Sequence, residues 1–156
     1  MKHLKISSIL AVAVTLIVAA CNHGTLSSES IEQSIREAEA AVIAGDMTAA
    51  QSAASVLTGD SLTNKNMSAT QMARLSMVYM MLADSLDQES NTNRAADLFD
   101  MAFKTDSDSA KAFYQGVNHE QMQYVETLSN HSANRANPVD ISNLPDESEA
   151  DSISSL

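Results

Sequence analysis

The stretch Ser68 to Asp106, SATQMARLSMVYMMLADSLDQESNTNRAADLFDMAFKTD, decides the fold of this chain. Ser68 is expected to cap a helix whose apolar residues recur every three or four positions and therefore share one face: Met72, Leu75, Tyr79, Leu82, Ala83 and Leu86. A turn is predicted over 87–93, and a further helix over about 94–104 carries Ala95, Phe99, Ala102 and Phe103. Helices joined by so short a turn pack antiparallel, so the stretch predicts a helical hairpin.

This hairpin resembles a tetratricopeptide repeat over about 34 residues. The residues that carry the resemblance are Tyr79, Leu82-Ala83, Leu86, Ala95, Phe99, Ala102 and Asp106. The match departs at Ser90-Asn91, where the repeat usually has Gly-Asp, and at Ser107, where Pro usually follows the Asp. An ordinary helical bundle is the alternative, because any helical hairpin favours apolar residues at this spacing. The resemblance implies a groove that binds a protein or a peptide.

A second hairpin is predicted upstream. Its first helix starts after Ser28 or Ser30 and runs to Ala44 with an apolar stripe of Ile31, Ile35, Ala38, Ala41 and Val42. Gly45-Asp46 predicts a stop and a turn. The next helix, Met47 to Leu57, has an inner face of Ala50, Ala53, Ala54 and Leu57. We interpret this hairpin as a degenerate repeat, because Ala replaces most of its large positions.

Downstream, a fifth helix is expected from Asp106 or Asp108 to about Asn130, and Gly116 weakens it and predicts a bend. Its inward residues are Ala110, Phe113, Tyr114, Val117, Tyr124 and Leu128. Residues 131–156 form a polar, acidic tail that is too poor in apolar residues to order itself. The sequence therefore predicts an all-α domain at 29–130 with about five helices in antiparallel hairpins.

The N-terminus has the order of a secretory signal: Lys2 and Lys5, an apolar run from Ile9 to Ala20, and then Cys21. Val18-Ala19-Ala20-Cys21 resembles the bacterial lipobox, which implies a signal peptide at 1–20 and lipidation of Cys21. The acyl chains would hold the protein on the lipid bilayer, with 21–28 as a tether. An ordinary signal peptide with a chance cysteine, or a short anchor helix, is the alternative.

Asn22 follows the cysteine, at a position where an Asp retains lipoproteins of enteric bacteria in the inner membrane. The residues after it, His23 to Ser28, lack the acidic side chains found in some lipoproteins of the cell surface. The expected location is therefore the outer membrane of a bacterial envelope, facing the periplasm.

The chain is acidic, with a formal net charge of −11 at pH 7, and loss of Lys2 and Lys5 with the signal peptide would lower it to −13. Nucleic acid is excluded as a partner, because phosphate binding needs a basic surface. Cys21 is the only cysteine, so the chain cannot form an internal disulfide.

Three patterns in the sequence are candidates for sites of chemistry. His119-Glu120 begins like a zinc-protease helix, but Gln123 and Tyr124 follow where the second His is needed, which favours an exposed His. Asp106 to Ser109 begins like a calcium loop that lacks its Gly and its bidentate Glu, which favours helix capping. Copper ligation by methionines such as Met77 and Met80 is less expected than core filling. We therefore expect no catalysis, cofactor or metal.

Three functions remain open on sequence alone. The first is a membrane-tethered protein-protein interaction module, whose partner is another envelope protein or peptide. Four cations of the acidic body are candidates for neutralising a partner carboxylate, with surface ion pairing as the alternative for each: Arg74, Arg94, Lys104 and Lys111. The second is a small-ligand or nutrient-binding lipoprotein, which the absence of Trp disfavours for glycans. The third is a structural spacer without a specific ligand.

Overall fold

The computed structural model describes residues 26–58 and 66–136, and this part of the chain is all-helical, without a strand. Its six helices are α1 (Ser28–Ile43), α2 (Met47–Thr58), α3 (Ala69–Ala83), α4 (Gln88–Thr105), α5 (Ser107–Gln115) and α6 (His119–Ala136). The all-α prediction is confirmed. The predicted signal peptide, Cys21 and residues 137–156 of the predicted tail lie outside the described residues.

Most helix boundaries follow from local capping chemistry. Ser68 caps α3, and Gln71 completes a capping box by accepting a hydrogen bond from the Ser68 backbone N–H. Gly45 adopts φ +76°, the left-handed conformation in which glycine ends a helix without a steric penalty. Asp46 then accepts a hydrogen bond from the Ala49 backbone N–H at 2.9 Å, which fixes the start of α2.

The prediction of a turn over 87–93 is wrong, because α4 begins at Gln88. Asp87 caps this helix by accepting a hydrogen bond from the Ser90 backbone N–H at 3.1 Å, and Glu89 complements the positive end of the helix. The polar residues that suggested a turn occupy its first turns. Leu86 was predicted to point inward but is 41 % exposed, since α3 ends at Ala83 and Leu86 lies in the connection.

The predicted fifth helix is two helices, which is why there are six in the described ranges rather than five. Gly116 ends α5, and α6 starts at His119. The α6 helix also continues past the predicted limit of 130, to Ala136. Ser132 donates a hydrogen bond to Asp100, and Arg135 forms a 2.6 Å ion pair with Asp97, so both side chains tie this extension to α4.

The α3 helix is the centre of the fold, because it packs against each of the other five described helices. Its apolar residues are consequently buried on several faces. Tyr79 is fully buried and its hydroxyl group hydrogen-bonds with Thr58 of α2. On the other side of the core, the Phe99 ring lies 5.0 Å from the Tyr114 ring, whose hydroxyl group hydrogen-bonds with Ser76 at 2.8 Å. These large side chains thus join α3 to α2 on one side and to α4 and α5 on the other.

Candidate functional site

An open groove crosses the face of α3 between the C-terminal end of α1 and the corner where α5 meets α6. Its volume is about 680 Å³, within the range of ligand-binding clefts. The residues that line it come from all four of these helices and the α5–α6 corner: Glu39, Ile43, Arg74, Met77, Val78, Met81, Ala112, Phe113, Gly116, Val117, Asn118 and Gln121.

Two glycines shape the walls of this groove. Gly45 stops α1, so that Ile43 stands at the rim with 87 % of its surface exposed. Gly116 ends α5 with φ −90°, and the chain then turns into α6. Val117, in that connection, is partly buried and packs against the core. The exposed Ile43 and the partly buried Val117 therefore both line the groove.

The floor of the groove is apolar and consists of α3 side chains. Met77 and Val78 are each 3 % exposed, and Met81 is half-buried. Met77 and Met81 are four positions apart, so they lie on the same face of the helix. Unbranched thioether side chains adapt their shape to what packs against them, which makes this floor deformable.

The polar end of the groove is formed by Arg74 and Glu39, which belong to an ion-pair network that also includes Glu32 and Arg36. Arg74 donates two hydrogen bonds to the Glu39 carboxylate, at 2.8 and 2.6 Å, and one to Glu32 at 2.7 Å. The hydrogen bond from Arg74 is the main cause that lowers the pKa of Glu32 to about 2. Hydrogen bonding to Glu39 raises the pKa of Arg74. Arg36 also pairs with Glu32, at 3.1 Å, so the network joins two arginines to two glutamates and its formal charges balance.

Of the four predicted cations, Arg74 lines the groove and the other three do not. Arg94 is exposed on α4 and donates hydrogen bonds to Thr58, at 3.2 Å to the hydroxyl group and 3.4 Å to the carbonyl oxygen. Lys104 and Lys111 are exposed on α4 and α5. The structure thus gives Arg74 and Arg94 partners within the chain and does not gather the four into one site.

The sequence analysis missed the residues that give the groove its apolar character, above all Ile43, Val78 and Met81. For Ile43 a signal was present, because it is an apolar residue outside the buried stripe and directly before a helix stop. Val78 and Met81 gave no such signal, since their surroundings depend on how α1, α5 and α6 pack.

The structure also shows where the zinc-protease-like and calcium-loop-like patterns lie. His119 is exposed at the first position of α6, as predicted. Asp106 caps α5 by accepting hydrogen bonds from the Asp108 and Ser109 backbone N–H groups, each at 3.1 Å, which confirms the capping interpretation. Within 26–58 and 66–136, no three His, Cys, Asp or Glu residues are grouped as metal ligands. No helix of those ranges is both long and apolar enough to cross a bilayer.

Comparison with known proteins gives no further guide to the site. No family model, no curated protein and no solved structure matches this chain.

Proposed function

We propose that this protein is a bacterial envelope lipoprotein whose helical body is a protein-protein interaction module rather than an enzyme. Cys21, lipidated after removal of 1–20, anchors it to the outer membrane, where the body faces the periplasm. The observation that carries the binding role is the groove over α3, with Ile43 87 % exposed at its rim. Exposed apolar side chains that line a groove are typical of binding sites for other proteins.

The helix contacts support a tetratricopeptide-like arrangement of the body. The α1 and α2 helices pack on each other, as do α3 and α4, and α3 contacts α1, α2 and α5. The groove is lined mainly by α1, α3 and α5, of which α1 and α3 are the first helices of the two paired units. Stacked helical repeats form concave surfaces that bind extended partners. The α6 helix packs on α4 and α3 and serves as the terminal cover.

Binding of a small nutrient is the second candidate, favoured by a groove volume of about 680 Å³. A thermal-shift screen with envelope metabolites distinguishes it, because a ligand that binds the folded state raises the melting temperature. If the protein is a structural spacer, such ligands should not raise its melting temperature, and no partner should be found at the groove.

The anchoring part of the proposal is tested by labelling. Cells that express the full chain and receive radiolabelled palmitate should label the wild type, and Cys21→Ser should abolish both the label and membrane retention. An unlabelled wild type would refute the lipoprotein assignment.

The docking part is tested by photo-crosslinking in cells. Benzoylphenylalanine in place of Ile43 should yield a discrete, light-dependent adduct with an envelope protein. The control places the same residue at Val56, which is 54 % exposed on α2 and does not line the groove. If no adduct forms from position 43, or if positions 43 and 56 give adducts in equal yield, docking at the groove is contradicted.

A further inference from the structure

We infer that the groove is held away from the bilayer that anchors the protein, so that its partner is a protein segment in the aqueous space and not a lipid of that bilayer. This inference rests on the lipid anchor at Cys21 in the proposed function. Three features support it: the place where the anchored end of the chain joins the body, the position of the groove along α1, and the charge of the chain.

The packed body begins shortly after the anchored cysteine. Leu26 is partly buried and packs against the core. Ser27 then caps α1 by accepting a hydrogen bond from the Ser30 backbone N–H at 3.2 Å. The chain is therefore fixed to the body from residue 26 onwards, five positions after Cys21. Five residues of chain span at most about 18 Å, whatever their conformation.

The groove lies beside the far end of α1. This helix starts at Ser28, next to the anchored end, and the residues that it contributes to the groove are Glu39 and Ile43. Ile43 is fifteen positions from Ser28, which corresponds to about 22 Å along the helix axis. The groove therefore opens on the half of the body that is remote from the anchor.

The short connection to the anchor prevents the body from turning over. For the Ile43 end of an upright α1 to touch the bilayer, the start of the helix would have to stand about 22 Å above the lipid surface. The five residues that follow Cys21 reach at most about 18 Å. An orientation in which the groove end points at the bilayer is therefore out of reach.

Charge acts against a body that lies flat on the bilayer. The formal net charge is −11 at pH 7, and loss of Lys2 and Lys5 with the signal peptide lowers it to −13. A surface that contains anionic lipids repels a chain of this charge. A lipid of the anchoring bilayer could enter the groove only if the groove faced that bilayer. A protein segment in the aqueous space meets no such barrier.

The test measures how close the two ends of α1 come to the lipid. The full chain is purified after lipidation and reconstituted in vesicles of phosphatidylethanolamine and phosphatidylglycerol with acceptor-labelled headgroups. Because the Cys21 sulfur is then alkylated, Glu29→Cys and Ile43→Cys each add one free thiol, at an exposed position, for a donor fluorophore. Since the two positions are about 21 Å apart along α1, energy transfer from position 29 should be at least about twice as efficient as from position 43. Equal transfer, or stronger transfer from position 43, would overturn the inference.

Val56→Cys is the control for position along the chain. Three residues join α1 to α2 and the two helices pack on each other, so α2 returns towards the start of α1. Val56 is 54 % exposed and lies nine positions into α2, which brings it back by about 14 Å. Position 56 should therefore transfer more efficiently than position 43, although it is further from Cys21 in the sequence. Weaker transfer from position 56 would contradict the assigned orientation.

A longer connection tests the argument from reach. Insertion of about 20 Gly and Ser residues between Gly24 and Thr25 raises the root-mean-square span of the connection to about 25–30 Å and leaves the described body unchanged. The body can then turn over, so the difference in transfer between positions 29 and 43 should fall by at least half. An undiminished difference would show that the short connection does not set the orientation.

The outcome is distinguishable from failure of the proposed function. If the wild type takes up no palmitate label, the anchor is refuted and this inference is refuted with it. If the chain is labelled and binds the vesicles but positions 29 and 43 transfer equally, anchoring stands and only the placement of the groove is wrong. Docking at the groove is judged separately, by crosslinking from position 43 in cells.

Discussion

Replacing Phe99 with alanine is the most direct test of the packing that supports the groove. The side chain is 8 % exposed, and its ring centroid lies 4.8 Å from that of Phe103 and 5.0 Å from that of Tyr114. Phe99→Ala removes a buried ring and leaves a cavity, which typically costs about 3–5 kcal/mol. Each lost aromatic contact accounts for about 0.5–1.5 kcal/mol of that loss. The change is a large fraction of the roughly 5–15 kcal/mol that stabilises a domain of this size.

Urea unfolding followed by circular dichroism measures this loss. For a slope near 2 kcal/mol per molar urea, the midpoint of Phe99→Ala should fall by about 2 M. The control is Leu86→Ala, where the side chain is 41 % exposed and the loss should stay below about 1 kcal/mol. If the two variants unfold at the same midpoint, the aromatic cluster does not hold α4 to α5, and the packing described for this part of the core is wrong.

Two further predictions concern the ion-pair network and the glycines. Because the hydrogen bond from Arg74 lowers the pKa of Glu32 from 4.5 to about 2, the stability it adds is complete above about pH 5 and is lost as the pH falls towards 2. In Glu32→Gln, the free energy of unfolding, measured with urea at several pH values, should therefore fall less between about pH 5 and about pH 2 than it does in the wild type. An equal fall in variant and wild type would contradict this prediction. Gly45→Ala should cost about 1–2 kcal/mol because φ is +76°. Gly116→Ala should be neutral or stabilise by up to about 1 kcal/mol, since its φ is −90° and the nearest atoms lie 3.4 Å from an added Cβ. Melting temperatures in the reverse order would refute the assigned roles of the two turns.

Features that depend on local chemistry could be predicted from the sequence. Ser68, Gly45 and Asp106 act at helix ends through hydrogen bonds or backbone conformation within a few positions, and each was identified correctly. The start of α4 was missed because its first turns are polar. Asn91, one of those polar residues, is 3 % exposed, so it is part of the packed interior. Its burial results from tertiary packing, which a local pattern does not reveal.

From the sequence, a groove could be expected only because the resemblance to a tetratricopeptide repeat implies one. Its lining residues span Glu39 to Gln121, and their proximity depends on the break at Gly116. Arg74 was a candidate for neutralising a partner carboxylate, with surface ion pairing as the alternative, and the glutamates that it pairs with, Glu32 and Glu39, lie 42 and 35 positions away. No periodicity relates such distant positions, so these particular ion pairs could not be predicted from the sequence.

The way α6 is attached has a consequence for dynamics. Leu128 is the one fully buried residue of this helix, all of which lies in the described part of the chain. Its other attachments include polar contacts from Tyr124, Ser132 and Arg135. An element held by so little buried surface opens locally before the whole body unfolds, so its amide protons should exchange with deuterium faster than those of α3. Since α6 also contributes Gln121 to the groove, a bound partner that touches Gln121 would slow that exchange.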